Sequence, residues 1–494
     1  MRYDLIVIGG SPSGCQAALT AAKLHKKVVL VEQRPEGSGV SAPVGVSPAK
    51  ALREAILLLT GFRHRVVCPE LYGRRRLITM PELQSLFDQV VQKEAECVSQ
   101  ELQAHGVEKI LGRARFVGPR DVEITHGSEV GRRQLSGEKI LVAVGSQPIR
   151  PSWVPFDGHT IVDADDLLKL ERIPRTMIVV GGGVTGLQYA MMFAVLGTHV
   201  GVVDVKTSLL DFCDAEMTRL VQQQAESLGV KFLLGRRVIG VEQTGANRTT
   251  VRLEGGNRLQ SNTVLFAAGR RGNTESLNLQ AAGLTPDEQG RLWCNEHYQT
   301  WVKHIYGVGD VVGFPALASM ALEQGRHAME HAFEQRVSTD QQISYGLHTV
   351  PELAMIGPTE EKLRDERISY EVGVSEFREL ARGHIAGRPE GLLKLLFDRE
   401  SLRLLAVHCL GESATELIRI GETVMSFDGT IEYLRDTVFD YPTMAECYKL
   451  AAINALNHVE VQPPWNKRQP IQVARRLSTT FATELATANP HASS

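Results

Sequence analysis

Apolar positions along this chain form two matching series of strand, turn, helix and strand, and then the pattern changes. Asp4-Leu-Ile-Val-Ile8 is a short unbroken apolar run, the mark of a strand buried on both faces. Gly9 to Gly14 is the turn that follows, Cys15 to Leu24 has helical spacing, and Lys27-Val-Val-Leu-Val-Glu32 reads as a second buried strand. Residues 54–107 read as helices around a basic connector, Arg74-Arg-Arg76, a solvated surface; Leu83, Leu86, Phe87 and Val90 share one face of a helix over Met80–Ala104. Val107 to Ile124 reads as strands, and Ile140 to Ser146 as a strand ending in a Gly-Ser turn. The first series then recurs: strand at Met177, turn Gly181–Gly186, helix Leu187–Leu196, strand Val200–Asp204. Val264 to Arg270 is another strand closed by small residues, followed by Ile305–Asp310 and a helix from Ala316. From about residue 346 to 458 the pattern becomes a meander of strands and helices. The polar tail 466–494, rich in Ser, Thr, Ala and Pro, is expected to be disordered.

This order predicts an α/β chain: two Rossmann-like dinucleotide-binding domains and an α+β C-terminal domain. The expected boundaries are 1–150 with 265–345, then 151–264, then 346–465.

Bulk composition narrows the function classes. At 494 residues about three domains are expected, and a formal net charge of −3 argues against nucleic acid or an anionic membrane as partner. No basic region followed by an apolar run and cleavage site is visible, and no apolar stretch is long enough to span a bilayer, so a cytoplasmic protein is expected. Seven scattered cysteines form no close pair and read as reduced, mostly buried thiols. The fifteen histidines show no metal-ligand spacing, so no metal is expected.

Each glycine-rich turn carries chemistry. In the first, Gly9 and Gly14 match the dinucleotide fingerprint, Ser11 replaces its middle glycine between Gly10 and the Pro12-Ser13 pair, and Glu32, followed by Gln33, ends the second strand. Such an acid accepts hydrogen bonds from the ribose hydroxyls of an adenosine. The second fingerprint is complete, with Gly181, Gly183, Gly186 and the terminal Asp204. Two dinucleotide sites in one chain are what redox chemistry between cofactors needs.

Between the turns stands Gly37 to Arg53. There Pro48 suits a first helical turn and Lys50 lies near the end that offers free amides to an anion. With Gly145-Ser146, Ala268-Gly269-Arg270, Gly309-Asp310 and the C-terminal Tyr441-Pro-Thr-Met-Ala-Glu446, this order of motifs resembles the FAD- and pyridine-nucleotide-dependent disulfide oxidoreductase family over roughly residues 1–460. Leu317-Ala318-Ser319, Gln324-Gly-Arg326 and Gly313-Phe-Pro315 resemble its soluble, Si-specific NAD(P)+ transhydrogenase branch. The resemblance implies FAD across the first domain, with Glu32 on the adenosine ribose, the Gly9–Gly14 loop on the pyrophosphate, Asp310 on the ribityl or pyrophosphate region and Lys50 near flavin N5. It further implies a nicotinamide nucleotide on the Gly181–Gly186 loop and homodimerisation through the C-terminal domain, with any higher assembly left open.

Disulfide reductases of that family carry two cysteines just before the Pro-Ser-Lys helix and a C-terminal His assisted by Glu. Here those positions hold Ser41, Val46 and Tyr441, while Glu446 remains. The thiol arm and its base are absent and the hydride arm is intact. This predicts ping-pong transhydrogenation, NADPH + NAD+ ⇌ NADP+ + NADH. In the family the lysine commonly pairs with a Glu after the second glycine loop; here that position is Gln188, which leaves the Lys50 charge less compensated and the flavin easier to reduce. Tyr189 is expected in the helix core, with gating of the nicotinamide pocket as the other reading, and His348 and Glu352 are expected in interface packing.

Asp204 qualifies the expectation. Two unit charges about 4 Å apart at an effective dielectric near 20 interact by about 4 kcal/mol, so a carboxylate there favours NAD(H) over NADP(H). Lys206, two residues on, offers a charge to a 2′-phosphate; transhydrogenases of the family tend to have an uncharged residue and an arginine at these two positions. An NADH diaphorase, passing electrons to a quinone, dye or oxygen, is therefore the second expectation. A non-catalytic FAD-binding redox sensor is the third.

Overall fold

The computed structural model describes residues 2–33, 48–62, 78–125, 132–313, 316–335 and 343–457. Ser41, Val46, the Arg74–Arg76 run, Phe314, Pro315 and the 466–494 tail lie outside these residues.

The first unit is built on the strand Arg2–Ile8. It runs parallel to Val28–Glu32 on one side and to Arg132–Val142 on the other, with Val7 opposite Leu30 and Leu141. Glu108–Leu111 extends one edge, and Ile305–Gly307 adds in parallel to the end of Arg132–Val142. Leu5, Ile6 and Val7 are fully buried, as expected of a parallel strand covered on both faces. Helix Pro12–Lys23 covers one face and packs on helix Ala318–Ala332. That approach needs a glycine: a Cβ on Gly325 would lie 2.3 Å from the Ser13 carbonyl oxygen.

The second unit repeats this plan. Thr176–Val180 lies between His199–Val203 and Thr263–Phe266, all parallel, with Lys231–Leu233 and Ile161–Val162 at the edges. Thr263–Phe266 therefore belongs to this sheet, and the chain leaves the unit after Phe266 rather than at the expected 264/265 boundary. The chain crosses between the units twice, and the two crossings pair with each other as antiparallel strands, Ser146–Pro148 with Arg270–Gly272.

The third unit is a five-stranded antiparallel sheet in the order Ser344–Leu347, Glu352–Ile356, Leu404–Gly411, Leu392–Asp398, Tyr370–Glu376. Helices Ala414–Ser426 and Glu446–Leu456 pack on it. Strand alternation divides its core. Leu393, Leu395 and Phe397 are fully buried in the cluster that includes those helices, each such side chain worth about 1.5–3 kcal/mol. Lys394, of the opposite parity, is also fully buried, and it meets the second unit.

There its ammonium donates to Asp214, the N-cap of helix Ala215–Ser227, at 3.1 and 3.2 Å, to Glu216 at 2.9 Å, and to Glu360. The three carboxylates lie close enough together to suit a cation, and the Lys394 ammonium is the cation they hold. Opposite Lys394 in register stands His408, fully buried, its Nε2 3.2 Å from the Pro358 carbonyl oxygen.

Candidate active site

The two glycine turns have the same local geometry. Gly9 has φ +107° and Gly181 φ +109°; a Cβ on either would lie 2.4 or 2.5 Å from the carbonyl oxygen of Ala143 or Ala267. Gly14 and Gly186 let each helix start close beneath its turn, since an added Cβ would meet the Gly9 or Gly181 oxygen at 2.0 or 1.9 Å. In each loop the next amide grips the acid at the end of the second strand. Gly10 N–H donates to Glu32 Oε2 at 2.7 Å, and Gly182 N–H to Asp204 Oδ2 at 2.5 Å. Both acids thus stand at the carboxyl edge of a parallel sheet beside a helix N-terminus, the arrangement that receives a dinucleotide.

The loops differ at the middle position. Ser11 caps its helix by accepting from Gly14 N–H at 3.3 Å, and its hydroxyl donates to the Ala143 carbonyl at 2.8 Å. Pro12 follows in the first turn and Ser13 is buried, its Oγ 3.0 Å from that of Ser11. Gly183 occupies the same place in the second loop, with nothing within 4 Å of where a Cβ would stand. Gln33 follows Glu32 and is exposed.

A polar chain continues from the first unit to the crossing strands. Ser146 Oγ donates to Asp310 Oδ2 at 2.7 Å and accepts from Arg270 Nε at 2.8 Å. Arg270 also reaches the Ser146 carbonyl at 2.9 Å and Asp165 at 3.4 Å. The Gly309 amide donates to the buried Gln324 Oε1 at 2.7 Å. Gly145 and Gly269 take left-handed φ on either side of this pair, and Ala318 opens the next helix, exposed. The glycine cradle, the held Glu32 and the Ser146–Asp310 pair fit FAD.

Lys50 lies in the first turn of helix Pro48–Leu59 and is exposed. Among the described residues no carboxylate lies within 4.0 Å of its ammonium. The helix packs against Val184–Leu196, which carries Gln188 and Tyr189, both buried; burial pushes the Tyr189 hydroxyl up to about 12. Three residues past Lys50, Arg53 is buried. Its Nε donates to the Thr349 carbonyl at 2.8 Å and its Nη1 stands 3.2 Å from Glu352 and 2.5 Å from Glu54. Sequence reading assigned Glu352 to interface packing and did not single out Arg53. The structure makes them one buried ion pair fixing the Lys50 helix to the third unit, and Glu352 also accepts from the Thr415 hydroxyl at 2.8 Å. Burial first, then the Lys50 charge, holds His348 below the usual imidazole range.

Tyr441 and Glu446 stand apart from this group. Tyr441 precedes Pro442 through a cis peptide and is 75% exposed; Phe427, Tyr433 and Val438 of the same unit are exposed too. Glu446 accepts from the Thr443 amide at 3.2 Å.

A cavity of about 390 Å³ opens at the carboxyl edge of the second sheet. Gly181, Gly183, Asp204, Lys206, Gly269 and Arg270 line it. So does Arg236, which sequence reading missed. The available signal was an Arg-Arg pair just after Lys231–Leu233, the strand beside the one that ends just before Asp204. Lys206 N–H donates to Asp204 Oδ1 at 2.8 Å, while its ammonium is paired with Asp211 at 2.6 Å.

Comparison with known proteins agrees with this geometry. Residues 3–325 match the pyridine nucleotide-disulphide oxidoreductase family and residues 343–452 its dimerisation domain. A soluble pyridine nucleotide transhydrogenase of Mycobacterium tuberculosis is 42% identical over 92% of this chain and 97% of its own length. One from Hahella chejuensis is 36% identical, over 93% and 99%. The crystal structure of LpdA from Mycobacterium tuberculosis shares the fold, with a TM-score of 0.82 at 24% identity over 92% and 99%. No described helix is long and apolar enough to cross a membrane. With two nucleotide loops of one design, crossing strands between them and a C-terminal sheet matching the dimerisation domain, this chain belongs to the pyridine nucleotide-disulphide oxidoreductase family.

Proposed function

We propose that this chain is an NAD(P)+ transhydrogenase that carries hydride between NADPH/NADP+ and NAD+/NADH and works as a homodimer in the cytoplasm. One observation carries the reading. The chain keeps two dinucleotide loops of the same geometry but has Ser41 and Val46 where the family's disulfide reductases have cysteines. The names of its relatives agree.

In this reading Gly9, Ser11, Pro12, Ser13 and Gly14 receive the FAD pyrophosphate, Glu32 with Gln33 the adenosine ribose, and Ser146, Asp310 and Ala318 the remainder. Bound FAD supplies the hydride relay between the two nucleotides. Gly181, Gly183 and Gly186 cradle the pyrophosphate of the nicotinamide nucleotide, and Asp204 takes its ribose. Gly269 and Arg270 close the cavity on the side of the crossing strands. Lys50 acts as a positive charge with no carboxylate within 4.0 Å among the described residues, an electrostatic rather than a proton-transfer role. Tyr441 in place of histidine has no thiol to serve, and its part, with Glu446, is at the dimer interface, where the exposed Phe427, Tyr433 and Val438 need cover.

An anaerobic titration tests the proposal. NADPH is expected to bleach the flavin absorbance of the holoprotein, and NAD+ to restore it. Bleaching by NADH alone would favour the diaphorase reading, to which the Asp204 carboxylate lends weight. No bleaching by either nucleotide would leave the non-catalytic reading.

A further inference from the structure

We infer that Arg236 is the anchor for the adenosine 2′-phosphate of NADP(H), the residue that lets a site closed by an aspartate accept a phosphorylated dinucleotide. The inference rests on the transhydrogenase reading of the cavity.

Asp204 is committed to the nucleotide loop. One carboxylate oxygen accepts from Gly182 N–H and the other from Lys206 N–H. A 2′-phosphate beside it brings further negative charge and requires a cation. Lys206 is the nearest in sequence, but its ammonium is held by Asp211 at 2.6 Å, so the pair brings no net charge to the edge. Arg237 stands 3.9 Å from Glu254. Arg236 is different: among the described residues no carboxylate lies within 4.0 Å of its guanidinium. Its position is fixed, because Arg236 N–H donates to the Asp204 carbonyl and Gly235 N–H to the Lys206 carbonyl, both at 2.9 Å. The backbone of Arg236 is thereby bound alongside Asp204, and its side chain is exposed and lines the same cavity. Counting Asp204, Lys206, Asp211 and Arg236, the edge is neutral with the arginine and carries one negative charge without it. A planar guanidinium also matches a phosphate with two parallel hydrogen bonds, which an ammonium cannot do.

The test uses FAD-loaded protein and two fragments, 2′,5′-ADP and 5′-AMP, which differ by the phosphate in question. Their binding is measured by calorimetry, and NADPH and NADH by rapid-mixing flavin reduction. In Arg236→Met, affinity for NADPH and for 2′,5′-ADP is expected to fall roughly 10- to 100-fold, the loss of one or two charge-assisted hydrogen bonds. The change for NADH and 5′-AMP should be no more than a few-fold. Arg236→Lys should recover part of the loss, and Lys206→Met should cost NADPH less than Arg236→Met does. Equal losses for both fragments, no preference for 2′,5′-ADP in the unmodified protein, or a larger loss in Lys206→Met would overturn the assignment. If Arg236 governs 2′,5′-ADP binding while NADPH fails to reduce the flavin, the subsite stands and the transhydrogenase reading falls.

Discussion

Arg53 and Glu352 face each other at 3.2 Å, their side chains only 1% and 8% exposed, and they join the helix that carries Lys50 to the C-terminal sheet. Breaking a buried pair from one side costs roughly 3–5 kcal/mol when the charge left behind has no other partner; Glu352 would keep its bonds from Thr415, so that figure is the upper scale here. Arg53→Met is expected to lower the apparent melting temperature of the holoprotein and to weaken flavin retention. The double variant Arg53→Met/Glu352→Gln should be more stable than the single one, since it removes the stranded carboxylate. A single variant as stable as the unmodified protein would show that the pair does not hold the helix.

The proposed place of Lys50 beside the flavin, with no carboxylate within 4.0 Å among the described residues, predicts a redox effect. A positive charge near the flavin favours the form that has taken up a hydride. Gln188→Glu, which restores a carboxylate on the adjoining helix, should make the flavin midpoint potential more negative, and so should Lys50→Met. Spectroscopic titration against dyes of known potential reads both. An unchanged potential in Gln188→Glu would count against the pairing.

In the proposed reading Asp204 takes the adenosine ribose and sets the nucleotide preference. Asp204→Asn keeps an acceptor for the Gly182 or Lys206 amide but removes the charge. Repulsion of about 4 kcal/mol at 4 Å is the upper scale for what is relieved. The ratio of kcat/KM for NADPH to that for NADH should rise tenfold or more in steady-state assays. A ratio that stays put would mean the carboxylate is not at the ribose edge.

His408 predicts a pH dependence of stability. Burial holds it at about 4, with the Asp214 charge raising it and the Lys394 charge lowering it. Unfolded, the imidazole takes up a proton near 6.5, so as pH falls the unfolded chain binds protons that the folded chain refuses. The stability owed to neutral His408 is whole above about 6.5 and is lost progressively as pH falls toward 4, up to about 3 kcal/mol. Asp214, also held below its usual range, adds a loss at still lower pH. Melting temperatures between pH 7.5 and 4.5 should fall less steeply in His408→Asn than in the unmodified protein.

What could be read from the sequence was local. Each glycine loop lies within about thirty residues of its acid, and hydrophobic spacing marks the strand and helix between, so both nucleotide units and the third, different unit were legible. The helix Met80–Ala104 appeared with its expected limits, whereas the helix expected from Ala316 begins at Ala318. The misplaced boundary near 264 has a physical cause. Thr263–Phe266 is a fully buried strand, and an apolar run of that length fits either sheet until pairing is known. Arg53 with Thr349, 296 residues apart, Lys394 with Asp214, 180 apart, and Arg236 beside Asp204 depend on which strands lie side by side. The Arg236-Arg237 pair is visible in the sequence, but no local pattern encodes which residues these side chains meet.

The grip of Lys394 on the cap of helix Ala215–Ser227 bears on turnover. A relay serving two dinucleotides in turn must empty one berth between visits. The unit that offers this berth is tied to the C-terminal sheet by one ammonium shared among three carboxylates. A swing of that unit away from the sheet would part the buried Lys394 ammonium from the buried Asp214 carboxylate, at the cost of two desolvated charges. Whichever dinucleotide is more abundant in its surroundings acts as a brake on the other.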